Sequence, residues 1–137
     1  MNVVVSDDLE TCLAIRRAVF IEEQGVSEAD EVDGRDGNAV HLLALHKEVA
    51  VGTARILVKG DTAKIGRVAV LKGARGTGAG RALVLEAVAW ARAQGLGRAQ
   101  LGAQVHALGF YEALGFSVYG PVYDDAGIDH RDMEHPL

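Results

Sequence analysis

The run Arg75-Gly76-Thr77-Gly78-Ala79-Gly80 limits the folds open to this chain more than any other stretch. It joins an apolar, strand-like run, Lys64 to Val70, to the strongest helix pattern in the sequence, Gly78 to Gln94. There Leu83, Val84, Ala87, Val88 and Ala91 recur at helical spacing, and Gly95 is placed to end the helix. Glycine removes the Cβ atoms that would hold a ligand off the backbone, so several N–H groups can converge on one anion. The helix start adds unpaired N–H groups and roughly half an elementary positive charge. The segment is built like a pyrophosphate cradle, although a Gly-rich turn can also do no more than connect two elements.

Two familiar nucleotide loops are excluded by the residues. A P-loop ends in Gly-Lys-Ser/Thr. Gly73 and Gly78 have its spacing, but Ala79 and Gly80 stand where the Lys and the hydroxyl belong. A dinucleotide fingerprint, Gly-x-Gly-x-x-Gly, begun at Gly76 or at Gly78 meets Arg81 or Leu83 in place of its third Gly.

Charge is distributed to match an anion at this loop. Thr62 to Leu85 carries Lys64, Arg67, Lys72, Arg75 and Arg81 with no acid among them. Glu22 to Gly37 carries Glu22, Glu23, Glu28, Asp30, Glu31, Asp33 and Asp36 against Arg35 alone. That acidic run reads first as a solvated loop, and second as a lure for a cationic substrate. The net charge of −5 argues against a nucleic-acid partner. No apolar run approaches the roughly 20 residues that span a bilayer. Residues 1–10 lack a signal-peptide pattern, and the single Cys12 cannot form an internal disulfide, so a cytoplasmic location is expected.

With 137 residues, the chain is expected to form one domain over residues 1–137. Asn2 to Val5 reads as a strand, and Asp7 or Asp8 can cap a helix running to about Phe20. A loop with a short helix near Glu22 extends to Asn38. Val40 to His46 and Val49 to Val58 read as strands joined by a tight turn at Lys47-Glu48. Arg98 to Gln104 reads as a strand, Ala107 to Leu114 as a short helix stopped by Gly115, and Phe116 to Tyr119 as a further strand start. The tail turns near Asp124 to Gly127 and has room for a final strand. This order implies an α/β domain whose mostly antiparallel sheet carries a strand–helix–strand crossover. Ile65 and Val68, three apart, cannot share a face of a regular strand. Either a bulge near Gly66 to Ala69 restores a common face, or the strand is buried on both faces.

Several separate segments resemble the GNAT superfamily of N-acetyltransferases. Ile65-Gly66-Arg67-Val68-Ala69-Val70 leads into Arg75-x-x-Gly78-x-Gly80, and Phe110-Tyr111-Glu112-Ala113-Leu114-Gly115-Phe116 is similar to the family's Phe-Tyr-x-x-x-Gly-Phe motif. Arg16 to Gln24, Gly102 to His106 and Tyr123 to His130 resemble corresponding parts of the ElaA-like branch, so the likeness covers nearly the whole chain. Gln104 stands where the wider family often has Asn. The resemblance implies a GNAT-like α/β (α+β) fold, a mixed, mostly antiparallel sheet of about six to seven strands flanked by about four helices.

It also implies transfer of an acetyl group from acetyl-CoA to an amine of a small molecule or protein. No metal is expected, because the five histidines lack a two-His helical spacing with a Glu and Asp30 to Asn38 does not reproduce a calcium loop. Backbone groups of Val68, Ala69 and Val70 would hold the pantetheine arm. N–H groups of Arg75, Gly76, Thr77, Gly78, Ala79, Gly80 and Arg81, with both arginine side chains, would hold the pyrophosphate. Tyr111 is the candidate general acid, because a phenol stays protonated at neutral pH, although an aromatic beside Phe110 also suits simple packing. Glu22, Glu23, His41 and His106 are all open as general base. Cys12 reads as a buried structural thiol, which favours direct transfer over an acetyl-cysteine route. A non-catalytic acyl-CoA-binding module is the alternative reading, and members of the family often pair as homodimers.

Overall fold

Asp8 starts the first helix by accepting from the Thr11 N–H at 3.1 Å and from its hydroxyl at 2.6 Å. This computed structural model describes residues 1–137. Strand β1 (Asn2–Ser6) precedes that helix, α1 (Leu9–Arg16), which continues through wider π-type turns over Arg17–Glu23. The helical path therefore runs past Phe20. The short helix expected near Glu22 lies further on, as α2 (Glu28–Glu31), with Ser27 accepting from Asp30 N–H at its start.

Next come β2 (Val40–His46), β3 (Val49–Lys59) and β4 (Thr62–Val70). Lys47 and Glu48 make the β2–β3 turn with φ of 49° and 67°, the double left-handed geometry that matches strand twist even without a glycine. Helix α3 (Ala79–Ala93) connects β4 to β5 (Arg98–Gln104), and these two strands are parallel. Then follow α4 (Leu108–Glu112), β6 (Ser117–Val118), β7 (Tyr123–Asp125) and β8 (Ile128–Pro136). The sheet order is β1-β2-β3-β4-β5-β8-β6, with β7 also on β8. Every pairing except β4–β5 is antiparallel. The short β6 and β7 bring the sheet to eight strands, more than the sequence suggests.

Helices cover both faces of the sheet. Leu83, Val84, Ala87, Val88 and Ala91 of α3 pack on Leu42, Ile56, Ile65, Leu101 and Met133. On the opposite face Cys12, Ile15 and Val19 pack on Leu43 and Ala69. Two-sided burial explains why β2 reads as an unbroken apolar run, since Leu42 and Leu43 face different clusters. A Cβ on Gly52 would come within 3.0 Å of Leu83 and 3.1 Å of the Ala69 carbonyl, so glycine sets how closely α3 seats.

The irregularity in β4 is a bulge. Thr53 pairs with Ala69 and Arg55 with Gly66, leaving Arg67 and Val68 opposite Ala54 alone. Arg67 takes a left-handed φ of 51°. The extra residue turns Ile65, Val68 and Val70 toward the same cluster. Parallel pairing of β4 with β5 covers only Thr62–Lys64 against Arg98–Gln100. Beyond it the two strands part, and that divergence positions the site. No helix is long and apolar enough to cross a membrane.

Candidate functional site

The parted ends of β4 and β5, the start of α3, α4 and the β7–β8 hairpin enclose a cleft of about 1150 Å³. One end is lined by Arg75, Gly76, Gly78, Ala79, Gly80 and Arg81. The backbone N–H groups of residues 76–81 find no acceptor within the protein. Gly76 and Gly78 have φ of 81° and 87°, and Gly78 is the N-cap residue of α3. A Cβ on either would meet nothing within 4 Å, so these glycines serve backbone conformation rather than clearance. Six unpaired donors at the positive end of a 15-residue helix fit a polyanion such as a pyrophosphate.

The side chains at this end differ from the sequence expectation. Thr77 does not line the cleft; its hydroxyl donates to the Ala74 carbonyl at 2.5 Å and closes the turn. Arg75 is held by Glu23 through two bonds of 2.6 and 2.7 Å and also donates to the Val70 carbonyl. Arg81 lies exposed on the first turn of α3 with no ion-pair partner.

Val68, Ala69 and Val70 all border the cleft, but their backbones face different ways. Leu71 N–H donates to the Val51 carbonyl at 2.9 Å, and Leu71 lies opposite Val51 one step beyond the Gly52–Val70 pair. Alternation then directs the polar groups of Ala69 to β3 and those of Val70 to the cleft. The Arg75 bond to the Val70 carbonyl agrees. Ala69 is buried in the α1-side cluster, with its polar groups directed into the β3 ladder.

Tyr111 lines the same cleft, half-buried, with its ring edge-on to Phe110 and Phe116 at 5.0 and 6.1 Å. Burial pushes its phenol up to about 12, so it is protonated throughout the working pH range. Among the expected bases, Glu23 also lines the cleft, but Arg75 holds it below the usual carboxylate range. Glu22 is exposed and outside the cleft. His41 lies in β2, buried, with Nε2 bonded to the Asp36 carbonyl at 3.0 Å, and takes no part in the cleft. His106 does line it, with Nε2 against Gln104 Oε1 at 2.6 Å, while Gln104 reaches Gln24 at 3.0 Å. Cys12 is fully buried away from the cleft, and burial raises its thiol.

The acidic segment is only partly a solvated loop: Glu22, Glu28 and Asp30 stay exposed, with Asp30 also lining the cleft, while Glu31, Asp33 and Asp36 are engaged. It folds over three arginines. Arg16 bonds Glu31 at 2.5 Å and Asp36 at 2.7 Å, and Arg55 bonds Asp33 and Asp36. Arg67, from the bulge, bonds the Glu31 and Asp30 carbonyls and lies 3.4 Å from Asp33. Arg67 therefore braces one wall of the cleft instead of adding charge to the cradle. The sequence signal for it is an arginine on each of three core-forming elements, Arg16, Arg55 and Arg67.

Residues 9–116 match the family described as the acetyltransferase (GNAT) family. The chain belongs to this family. Within it, Escherichia coli ElaA is 34% identical over 131 residues, covering 91% of this chain and 85% of ElaA. The crystal structure of ElaA matches with a TM-score of 0.83 at 32% identity, covering 96% of this chain and 92% of that one. A Bacillus subtilis protein provisionally named an acetyltransferase is 39% identical over 132 residues, 94% of this chain and 90% of the relative. An acyl-CoA N-acyltransferase from Pseudomonas aeruginosa matches with a TM-score of 0.86 at 29% identity, over 98% of this chain and 99% of that one. These likenesses support acyl transfer and the ElaA-like branch of the GNAT family.

Proposed function

We propose that this GNAT protein is an acetyl-CoA-dependent N-acetyltransferase that acylates a primary amine of a small molecule or protein by direct transfer in a ternary complex. The observation that carries the reading is the set of unpaired N–H groups of residues 76–81, opening onto the cleft that also contains Tyr111. Acetyl-CoA would supply an activated acyl thioester. The amides of residues 76–81 and Arg81 would hold its pyrophosphate, and the outward groups of Val70 would orient its arm. The Pseudomonas relative's name, an acyl-CoA N-acyltransferase, supports the choice of donor.

Tyr111 would stand against the departing sulfur. Transfer from a phenol near 12 to a thiolate near 8.5 is uphill, so Tyr111 acts chiefly as a hydrogen-bond donor to the developing charge. The thiolate then takes its proton from solvent. Buried Cys12 gives no covalent route, which favours direct transfer. The reading includes a cytoplasmic location and admits a homodimer. Calorimetric titration with acetyl-CoA, with ATP and NADH as controls, tests it. Selective, saturable binding of acetyl-CoA supports the assignment, and no binding by folded protein overturns it.

A further inference from the structure

The wall of the cleft opposite the glycine loop carries an arrangement that the proposed roles leave unused. Tyr123, Asp125, Ile128 and His130 of the β7–β8 hairpin line it. In the sheet His130 lies directly between Gln104 of β5 and Tyr123 of β7, so the three side chains share one face. The His130 ring stacks on Tyr123 with centroids 5.9 Å apart and an interplanar angle of 27°. Tyr123 is itself fixed, because its hydroxyl donates to Asp132 Oδ1 at 2.8 Å. The same hydroxyl fills the space beside Gly102, where a Cβ would lie 2.4 Å from it.

The tautomer of His130 follows from its partner. Its Nδ1 is 2.7 Å from the Ile128 carbonyl, and a carbonyl can only accept. Nδ1 therefore carries the proton, leaving the Nε2 lone pair free. Nε2 has no hydrogen-bond partner in the protein, and the half-buried His130 lines the cleft. We propose that His130 Nε2 takes the proton from the incoming amine, with Tyr123 and the Ile128 carbonyl holding the ring in position. This deepens, and rests on, the N-acetyltransferase reading above.

A primary alkylamine is mostly ammonium at neutral pH and cannot attack until it loses a proton. His130 accepts that proton as the nitrogen lone pair becomes available. The C–N bond then forms, the nitrogen releases its second proton to solvent as the C–S bond breaks, and the thiolate, hydrogen-bonded by Tyr111, takes a proton from solvent. His130 returns its proton to solvent. The charged and titratable groups around it are Asp129, Arg131 and Asp132 on its own strand and Tyr123, Asp124 and Asp125 on β7. His106 follows β5, and Tyr111 lies on α4. Asp132 is engaged by Tyr123, and Arg131 donates to the Gly120 carbonyl at 2.9 Å. His106 Nε2 is occupied by Gln104.

The test uses the full chain, acetyl-CoA and a panel of primary alkylamines, with released CoA thiol as the readout, over pH 5 to 9. Wild type should show an acid limb in its kcat/KM profile. His130→Gln should lose that limb and fall about 10²- to 10⁴-fold in kcat/KM, with calorimetric acetyl-CoA affinity unchanged. Retention of the limb in His130→Gln, or its loss only in His106→Gln, overturns the proposal while leaving the transferase reading intact. Wild type that binds no acetyl-CoA, or turns over no amine, overturns the transferase reading and the proposal with it. Independently of activity, ¹⁵N-histidine NMR assigned by the same variant should show that the neutral form of His130 carries its proton at Nδ1. A neutral form protonated at Nε2 also overturns the proposal.

Discussion

Glu23 and Arg75 clasp each other by two bonds of 2.6 and 2.7 Å, joining the end of the first helical segment to the glycine loop. Arg75 is thus engaged before any anion arrives. A bound pyrophosphate must share its guanidinium with Glu23 or displace that carboxylate. Glu23→Gln should leave Arg75 freer and tighten acetyl-CoA binding a few-fold at low ionic strength, whereas Arg75→Ala should weaken it about tenfold. Calorimetry at two salt concentrations separates these effects. Equal weakening by both substitutions would show that the pair acts as a unit, contrary to this expectation.

Tyr111→Phe removes a hydroxyl that has no partner within the protein, so thermal stability should change little. Turnover should fall about 10²- to 10³-fold with acetyl-CoA affinity preserved. Only the protonated phenol can donate, so activity is lost as pH rises through its pKa. With that value pushed up to about 12, no alkaline loss attributable to Tyr111 should appear below pH 10. An alkaline limb near 9 that vanishes in Tyr111→Phe would contradict the assignment.

What the sequence discloses follows from the range of the interactions involved. The α3 stripe, β5 and the cradle are local patterns, and α3 and β5 lie within a residue of their expected bounds. The β4 bulge was one of two readings that the spacing of Ile65 and Val68 left open, and only the strand pairing decides it. The acidic segment was not legible. Its partners Arg55 and Arg67 are between 19 and 37 residues away from the groups they bind, so the run looks like any solvated loop. His130 was hidden for the same reason: its neighbours Gln104 and Tyr123 meet it only when three strands come together.

Gly102 and Tyr123 form a pair whose fit can be measured directly. Gly102→Ala places a methyl group 2.4 Å from the tyrosine hydroxyl in an otherwise ordinary strand position. It should destabilise the protein by about 1–3 kcal/mol. Adding Tyr123→Phe removes the obstructing oxygen, and the next ring atom is 3.7 Å away. The double variant should therefore recover much of the loss, a coupling visible in a denaturant double-mutant cycle. Strict additivity would place the cost of Gly102→Ala elsewhere.

The arginine network sets the response to acid. Arg55 holds Asp33 well below the usual carboxylate range. Burial opposes ionisation of Asp36, but Arg16 and Arg55 outweigh it, so that group is lowered as well. Both are deprotonated in the folded protein at pH values where the unfolded chain already takes up protons, near the aspartate reference of about 3.9. Their contribution is thus fully present above about pH 5 and is lost as pH falls through 4 and below. Melting temperature should be nearly level from pH 6 to 8 and drop steeply on further acidification. Asp33→Asn should lower the plateau and flatten the drop, because it removes a proton-linked group. Glu31→Gln leaves Arg16, only 1% exposed, without its nearest countercharge and should cost about 3–5 kcal/mol at neutral pH. A variant melting like wild type would mean that Asp36 alone suffices to neutralise Arg16, and that the segment over residues 28–36 is held to the sheet by its backbone contacts with Arg67 rather than by its charges.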